Sequence, residues 1–447
     1  MPSPGEDRKK ALSGPWIGSL HGAKRQSNIH ARGVSWRLAR IYPFHPLRYT
    51  AEAGPLANVV TQPYDKISPA MRRRYLALSP YNLVRVILGE PVPGDSETGN
   101  VYTRAAAYLN QWTAGGILAR DPEAGVFPYF QEFTVPDTGE RLVRKGFIAL
   151  GAVEEYSAGV VHRHEQTLSG PKKDRLELLR HTHAHFGQIF MLYPDRAGSI
   201  DALLEEAAAA APLAEITDEY AAVHRIWKIS AAAPIQELMA DKKLLIADGH
   251  HRYETALAFR NENPDLPGAG RVMMTFVNMY SPGLRILATH RLVSGLDPAG
   301  LPESFLRRAA GDFRVAEVAS IDALKSAWEE PGGRTVIGAA IGSRLYRLDY
   351  QGGEGQLDVR VLHEQLLAGT LGIGEEAVRD EKHLRYIRGL DAAVEEARAG
   401  AAQIAFLLKP TFIEQVADTS FGGGVMPQKS TDFYPKLLSG LTIYKVD

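Results

Sequence analysis

Five consecutive residues, Asp248 to Arg252, bring together groups that bind anions, metals or protons. Arg252 carries a planar guanidinium that matches phosphate oxygens, and His250 and His251 add hydrogen-bond donors. Asp248 can hold a magnesium ion or orient an imidazole. Together these residue types favour phosphate handling. The alternative is that the aspartate and the histidines only cap a helix.

The residues around this cluster predict a strand, a turn and a helix. Residues 244–247 form a short apolar run, Asp248 and Gly249 favour a turn, and apolar residues then recur at helical spacing until Pro264. A helix N-terminus offers unpaired backbone N–H groups and the positive end of a dipole, which stabilise an anion. Because glycine has no side chain, Gly249 lets the backbone approach that anion closely.

A second polar segment supports the same chemistry. Gly170 and Pro171 predict a helix start that carries Lys172 and Arg175 in its first turn. Cations are unfavourable next to a positive dipole end, and a bound polyphosphate would reverse this. Glu165 precedes this helix and is the candidate general base for a substrate hydroxyl. The alternative is a solvated loop followed by a basic helix start.

Three residues nearer the N-terminus are predicted to bind substrate. Tyr64 and Asp65 follow an extended run, where Asp65 either meets a substrate amine or magnesium or only forms an Asx turn. Arg85 lies in residues 82–90, which resemble a buried strand.

Near the C-terminus, Lys429 follows three glycines without the spacing of a P-loop. That stretch either folds over the site or forms a structural turn.

Composition limits the protein class. The chain has 447 residues, which favours two or three domains, and a formal net charge of -1, which gives no global field to attract nucleic acid or acidic membranes. It contains no cysteine, so disulfides and thiolate chemistry are excluded, and no apolar run reaches the length of a membrane span. We expect a cytoplasmic protein with no membrane partner. Residues 1–40 are basic and rich in Gly and Ser, and predict a flexible basic extension.

Short β-like runs alternate with helical patterns from residue 41 onward, which predicts a mixed α+β fold. We predict a catalytic region over residues 41–295 and a smaller C-terminal α+β lobe over residues 296–447. Three long strands are expected within residues 141–156, 187–195 and 271–280, and a hairpin within residues 334–350.

Several segments resemble a known family. The stretch ADGHHRYETA is similar to the signature of the ParB/sulfiredoxin-like superfamily, and is closest to its free serine kinases, which share an Asp-Gly-His-His-Arg motif. A longer pattern resembles the bacterial domain-of-unknown-function family 1015. It comprises PFHPLRY (43–49), PYDKIS (63–68), SPYNLVRVILG (79–89), HEQTLSGPKKDRLELLR (164–180), NMYSPGLRILATHRLV (278–293) and MPQKSTDFYPKLLSGL (426–441).

This resemblance implies a ParB/sulfiredoxin-like catalytic region and a free L-serine kinase that makes O-phospho-L-serine. The implied partners are L-serine and a phosphate donor, with magnesium as cofactor and ATP, ADP or pyrophosphate as the donor. The assigned residues are Glu165, Asp248 and His251 for catalysis, Gly249, His250, Arg252, Lys172 and Arg175 for phosphate binding, and Asp65, Tyr64 and Arg85 for substrate binding.

Two other classes remain open. The first is a nucleotide-binding, ParB-like regulatory or DNA-associated protein. The near-neutral charge and the lack of a helix-turn-helix pattern argue against it, while the basic residues 1–40 keep it open. The second is a metal-dependent phosphohydrolase, which needs a similar phosphate cradle and carboxylates.

Overall fold

A computed structural model of the protein describes residues 39–165, 169–298, 301–331 and 333–447. Apart from its last two residues, the predicted flexible extension of residues 1–40 lies outside the described residues.

Strands are spread along the whole described chain. They are β1 (Ile41–Tyr42), β2 (Leu47–Tyr49), β3 (Leu118–Arg120), β4 (Phe127–Thr134), β5 (Arg141–Ala152), β6 (Val161–His162), β7 (Ala184–His185), β8 (Ile189–Tyr193), β9 (Ala214–Thr217), β10 (Val223–Ile226), β11 (Leu244–Asp248), β12 (Arg271–Asn278), β13 (Arg285–Leu287), β14 (His290–Val293), β15 (Phe313–Val318), β16 (Val336–Ile341), β17 (Arg344–Tyr350), β18 (Leu384–Ile387), β19 (Ile404–Leu407), β20 (Asp432–Tyr434) and β21 (Tyr444–Lys445).

Helices alternate with these strands. They are α1 (Pro69–Leu78), α2 (Val84–Ile87), α3 (Val101–Ala114), α4 (Ser169–Thr182), α5 (Ser199–Ala208), α6 (Ala233–Met239), α7 (His250–Glu262), α8 (Glu303–Ala309), α9 (Ile321–Glu329), α10 (Asp358–Val361), α11 (Glu375–Arg379), α12 (Leu390–Arg398) and α13 (Ile413–Phe421), with a π-helix at Leu362–Thr370 and 3-10 turns at Ala51–Ala53, Leu56–Asn58, Tyr64–Lys66, Tyr156–Ala158 and Pro267–Gly270. Among the described helices, none has both the length and the apolar character needed to cross a membrane.

Two large β-sheets organise the described chain. Helices alternate with their strands, which is the mixed α and β pattern that the sequence predicts. The first sheet has the strand order β6-β11-β8-β12-β5-β4-β10-β9, with β1 paired to β5. Strands β11 and β6, and strands β12 and β8, run parallel, and the other neighbours run antiparallel. The second sheet has the order β15-β17-β16-β19-β14-β18. The predicted α+β fold class is confirmed.

The centre of the first sheet is covered on both faces. Strand β8 is buried along its whole length, and β12 is buried after its first residue. Apolar residues on opposite faces belong to two separate core clusters, as Phe190 and Met191 on β8 show. This covering explains why both strands form nearly continuous apolar runs in the sequence. Helix α7 packs onto this core through Tyr253, Ala256 and Phe259.

Most of the predicted local elements are confirmed. The three long strands are β5, β8 and β12, and the predicted hairpin is β16–β17. The strand predicted around Arg85 is wrong, because Val84–Ile87 is a helical turn. The side chain of Asn82 accepts the backbone N–H of Val84 at 3.0 Å and so starts the turn. A short apolar run does not by itself distinguish a strand from a buried helical turn.

Residues 426–447, called here the C-terminal segment, pack against the first part of the chain. Strand β20 pairs with β13, and β21 pairs with β7. Arg120 binds the side chain of Asp447 with a closest approach of 2.6 Å. The C-terminal segment also reaches the turn at Asp248–Arg252, where Lys436 contacts Asp248. The proposed domain division at residue 296 stays a prediction.

Candidate functional site

The predicted strand, turn and helix around Gly249 is confirmed, with β11 ending at Asp248 and α7 beginning at His250. Gly249 has a φ of 95°, a conformation that L side chains rarely adopt, and a Cβ there would lie 3.0 Å from the Arg252 guanidinium carbon. The N-cap residue Gly249 supplies no side-chain hydrogen bond to the first turn of α7. A helix N-terminus with its positive dipole end attracts an anion.

This turn opens into a cleft with a volume of about 460 Å³. Among the described residues, five cationic side chains and four carboxylates line it: Lys66, Arg252, Arg388, Lys429 and Lys436, and Asp65, Glu165, Asp248 and Asp432. The uncharged lining is polar as well and includes Gln62, Tyr64, Tyr220, Thr289, Tyr386 and Thr431. The combination suits a ligand that carries both negative and positive groups.

Asp248 lies between two cationic side chains. Its Oδ2 lies 3.5 Å from Lys436 Nζ and 3.7 Å from an Arg252 nitrogen. Burial acts to raise the pKa of Asp248, but the charges of Lys436, Arg252 and Lys66 outweigh it and lower that pKa well below its usual value. Asp248 is therefore ionised at neutral pH and organises the cations around it.

A second carboxylate extends this charge cluster. Asp432 Oδ1 lies 3.1 Å from Lys436 Nζ, and both oxygens of Asp432 accept from Arg388. Burial lowers the pKa of Lys66, and the nearby charge of Lys436 lowers it further. Lys66 forms no ion pair with another described residue. It is a cation that a bound anion would stabilise.

The sequence assignment missed Lys66, Asp432, Lys436 and Arg388. Asp432 and Lys436 lie in the MPQKSTDFYPKLLSGL stretch, and Lys66 lies in PYDKIS. The family pattern was the available signal for these three. Lys429, which the sequence analysis names in the first stretch, does line the cleft.

Two buried arginines fix the backbone that carries Asp432 and Lys436. Arg144 donates to the carbonyls of Tyr434 and Pro435 and to the side chain of Gln131. Arg291 donates to the carbonyls of Gln428 and Lys429. Burial lowers the pKa of Arg144 to about 9 and that of Arg291 to about 10.

His164 and His250 lie next to the turn, are buried, and link neighbouring segments of the chain by hydrogen bonds. His164 is fully buried, with one ring nitrogen 2.8 Å from the carbonyl of Ile246 and the other 2.8 Å from the Thr431 hydroxyl. His250 is also buried, and its Nε2 accepts from the backbone N–H of His164 at 3.4 Å. Burial lowers the pKa of both imidazoles. His250 therefore acts near the turn as a neutral ring and not as a cation.

His251 is half-buried and lines the cleft. Burial is the main cause that lowers its pKa, and the Glu254 carboxylate acts in the opposite direction. Glu165, Tyr64 and Asp65 also line the cleft. Within the described part of the chain, neither Glu165 nor Asp65 forms an ion pair. The catalytic and substrate-binding roles assigned to these residues stay predictions.

Three of the assigned residues do not line the cleft: Lys172, Arg175 and Arg85. Lys172 Nζ pairs with Glu254 at 2.9 Å. Arg175 pairs with Asp174, donates to the carbonyl of Ile87, and lies over the Tyr64 ring at 4.2 Å. Arg85 donates to the carbonyl of Leu76.

Lys172 and Arg175, the cations near the start of α4 that were predicted to bind phosphate, are thus paired with acceptors of the protein itself. The predicted contacts of Lys172, Arg175 and Arg85 with phosphate or substrate stay predictions. In the described ranges, no group of three or more histidine and acidic side chains is arranged to hold a metal ion.

Comparison with known proteins identifies the family. Residues 41–368 match the family model described as "Protein of unknown function (DUF1015)". The match covers more than half of the chain, and the chain belongs to this family. No curated protein matches the chain.

Solved structures are similar at low sequence identity. A conserved hypothetical protein from Pyrococcus furiosus is 16% identical, with 61% of this chain and 87% of that chain covered and a TM-score of 0.34. Free serine kinase in complex with AMP is 16% identical, with coverage of 64% and 88% and a TM-score of 0.36. SbnI with C-terminal truncation from Staphylococcus aureus is 10% identical, with coverage of 66% and 87% and a TM-score of 0.35.

Proposed function

We propose that this protein is a small-molecule kinase that transfers a phosphoryl group to the hydroxyl of free L-serine and releases O-phospho-L-serine. One cleft contains the N-terminus of α7, a cluster of cations, and the carboxylates of Asp65 and Glu165, which form no ion pair in the described chain. This combination is the observation that carries the proposal. Phosphoryl transfer to an alcohol needs a cradle for the donor and a base for the acceptor.

The donor phosphates would lie at the N-terminus of α7. The Arg252 guanidinium and the Lys436 ammonium, which line the cleft at this helix end, would donate hydrogen bonds to these phosphates. Lys66 adds a third cation, and a bound anion would offset the burial and the Lys436 charge that lower its pKa. Fixed donors of this kind stabilise the charge on a transferring phosphoryl group. ATP, ADP and pyrophosphate all present such phosphates.

Glu165 would act as the general base. The serine Oγ attacks the terminal phosphorus and forms the new O–P bond, while the bond from phosphorus to the leaving phosphate oxygen breaks. The Oγ proton passes to the Glu165 carboxylate. His164, the preceding residue, is held by two hydrogen bonds and keeps this part of the chain in place. Tyr64 and Asp65, on the wall of the cleft, would contact the serine.

Magnesium fits the residues of the cleft. This ion is usually held by one or two carboxylates together with substrate phosphates, and not by a complete protein cage. Asp65 and Glu165 line the cleft without an ion pair in the described chain, and Asp248 is ionised beside them. When bound, magnesium neutralises charge on the donor phosphates. Asp65 or Asp248 would hold it.

The deciding experiment incubates the pure full-length protein with magnesium, each of the three donors, and a panel of hydroxyl compounds that includes L-serine. We expect donor consumption to depend on serine and O-phospho-L-serine to appear by mass spectrometry. Equal donor consumption with and without serine, and no phosphate ester, would instead identify a phosphohydrolase.

A further inference from the structure

Gln62 lines the cleft, and a residue outside the cleft lining holds its side-chain amide. The residue is 1% exposed, yet it contributes to the cleft lining. Its side-chain nitrogen Nε2 lies 3.1 Å from Asp218 Oδ2. Asp218 does not line the cleft and sits behind the amide.

The direction of the Gln62 amide follows from the contacts of Asp218. Asp218 Oδ1 accepts the backbone N–H groups of Tyr220 and Ala222, both at 2.9 Å, and Oδ2 lies 3.1 Å from His224 Nε2. Burial acts to raise the pKa of Asp218, but His224 and the two backbone donors outweigh it and lower that pKa. An ionised carboxylate only accepts hydrogen bonds, so the NH₂ group of Gln62 must face it.

The layer behind Asp218 fixes this direction further. On the other side of the His224 ring, the Tyr129 hydroxyl lies 2.7 Å from Nδ1. Gln131 Nε2 lies 3.3 Å from the same nitrogen and donates to the carbonyl of Lys436. The side chains of Gln62, Asp218, His224, Tyr129 and Gln131 are all buried. A satisfied buried network of this kind holds one arrangement.

The Gln62 carbonyl oxygen, Oε1, must therefore point away from Asp218 and toward the cleft. It accepts no hydrogen bond from any described residue. The negative charge of Asp218 behind the amide makes that oxygen a better acceptor for a positive group and a poor neighbour for phosphate. The cleft surface at Gln62 therefore favours a positive group, whereas the N-terminus of α7 in the same cleft favours an anion.

We propose that Gln62 determines specificity for the acceptor by accepting a hydrogen bond from its primary ammonium group. Asp218 is a positioning residue that acts through Gln62. This inference rests on the proposed function and deepens it, since it states how the cleft separates the ammonium end of the acceptor from the donor phosphates. An analogue with a hydroxyl in place of the amine, such as glycerate, would lose the charge-assisted bond.

The test compares L-serine with glycerate as acceptors for the parent protein and for Gln62→Met, which removes the amide at similar volume. We expect the KM for L-serine to rise about 10-fold to 100-fold in the variant, as the loss of a hydrogen bond to a charged group implies. The KM for the donor should not change, and the preference over glycerate should largely disappear. Gln236→Met, a matched change outside the cleft, should behave as the parent.

Two further variants keep the test decisive. Asp218→Asn lets the Gln62 amide turn over, and should reduce the preference for L-serine without altering donor binding. If Gln62→Met does not fold, Gln62→Asn gives the same comparison, because it withdraws the amide by one methylene. Parental preference for L-serine in folded Gln62 variants would overturn the inference.

Failure of the proposed function is separable from failure of this inference. If the parent phosphorylates neither acceptor, the kinase proposal fails. Calorimetric titration of the parent and Gln62→Met with L-serine and with glycerate then tests the wall residue directly. Tighter binding of L-serine by the parent, lost in the variant, supports the inference. Equal binding of both compounds by both proteins overturns it.

Discussion

Lys436 Nζ lies 3.5 Å from Asp248 Oδ2, and this contact connects the C-terminal segment to the turn that starts α7. The Asp248 carboxylate raises the pKa of Lys436 against the opposing effect of burial. The proposed phosphate cradle is therefore shared between two distant parts of the chain. Its charge depends on the packing of the C-terminal segment.

The first prediction tests this contact. Lys436→Met should weaken the binding of ADP or pyrophosphate about 10-fold or more, because it removes a cation from the cradle and leaves Asp248 less neutralised. Isothermal calorimetry measures the effect. Lys325→Met, an exposed change away from the cleft, is the control. Parental affinity in folded Lys436→Met would remove this residue from the donor site.

Replacement of Arg252 or His251 tests the turn itself. Arg252→Ala or His251→Ala should weaken donor affinity, since each removes a hydrogen-bond donor beside the N-terminus of α7, by roughly 1.5 to 3 kcal/mol for the charged arginine. Arg252 also donates to the carbonyl of Gln188, so thermal melting must accompany the titration. A folded Arg252 variant that binds donor like the parent argues against a phosphate site at this turn.

Glu165→Gln tests the proposed base. The change keeps size and hydrogen bonding but removes the proton acceptor, so kcat should fall roughly 100-fold to 10,000-fold with donor affinity nearly unchanged. Glu123→Gln, on an exposed side chain, is the matched control. Near-parental turnover would make Asp65 or Asp248 the next candidate. Lost affinity with normal turnover at saturation would assign Glu165 to magnesium or to the serine amine.

Arg144→Met tests how the C-terminal segment is held. The variant leaves the buried carbonyls of Tyr434 and Pro435 without their donor, and should lower the free energy of unfolding by roughly 2 to 5 kcal/mol. Urea denaturation measures this loss. Arg141→Met, on the exposed end of the same strand, should cost below about 1 kcal/mol. Equal losses in both variants would contradict the anchoring role.

The fifth prediction concerns pH. His185 is stacked on Tyr444 with ring centroids 5.8 Å apart, and burial lowers its pKa to about 4. The unfolded chain, with a histidine pKa near 6.5, binds this proton first as the pH falls. Stability contributed by neutral His185 is thus complete above pH 6.5 and lost as the pH falls toward 4, with a loss on the order of 2 kcal/mol at pH 5.

His185→Phe should reduce the difference between the unfolding free energies at pH 7.5 and pH 5. Buried His290 and half-buried His363 have lowered pKa values as well, to about 4 and about 3, so part of the acid sensitivity should remain in the variant. Urea unfolding at the two pH values gives the comparison. An unchanged difference would show that His185 does not contribute to it.

The sequence alone determined the local features of the site. An apolar run followed by Asp248 and Gly249 predicted the strand and the turn, because a short β run, a residue with positive φ and a helical repeat each leave a local pattern. The local pattern gave a wrong prediction for Val84–Ile87. The short apolar run there predicted a strand, but a hydrogen bond from the backbone to the Asn82 side chain favours a helical turn.

Only the tertiary structure decided which charges meet. Lys172 and Arg175 looked like phosphate ligands from their position in a helix, but Glu254 and Asp174 bind them. Lys436 reaches Asp248 from the distant C-terminal segment, where Arg144 donates to the carbonyls of Tyr434 and Pro435. Such pairs are set by long-range packing and by the burial of polar groups, and neither quantity leaves a periodic signal in the chain.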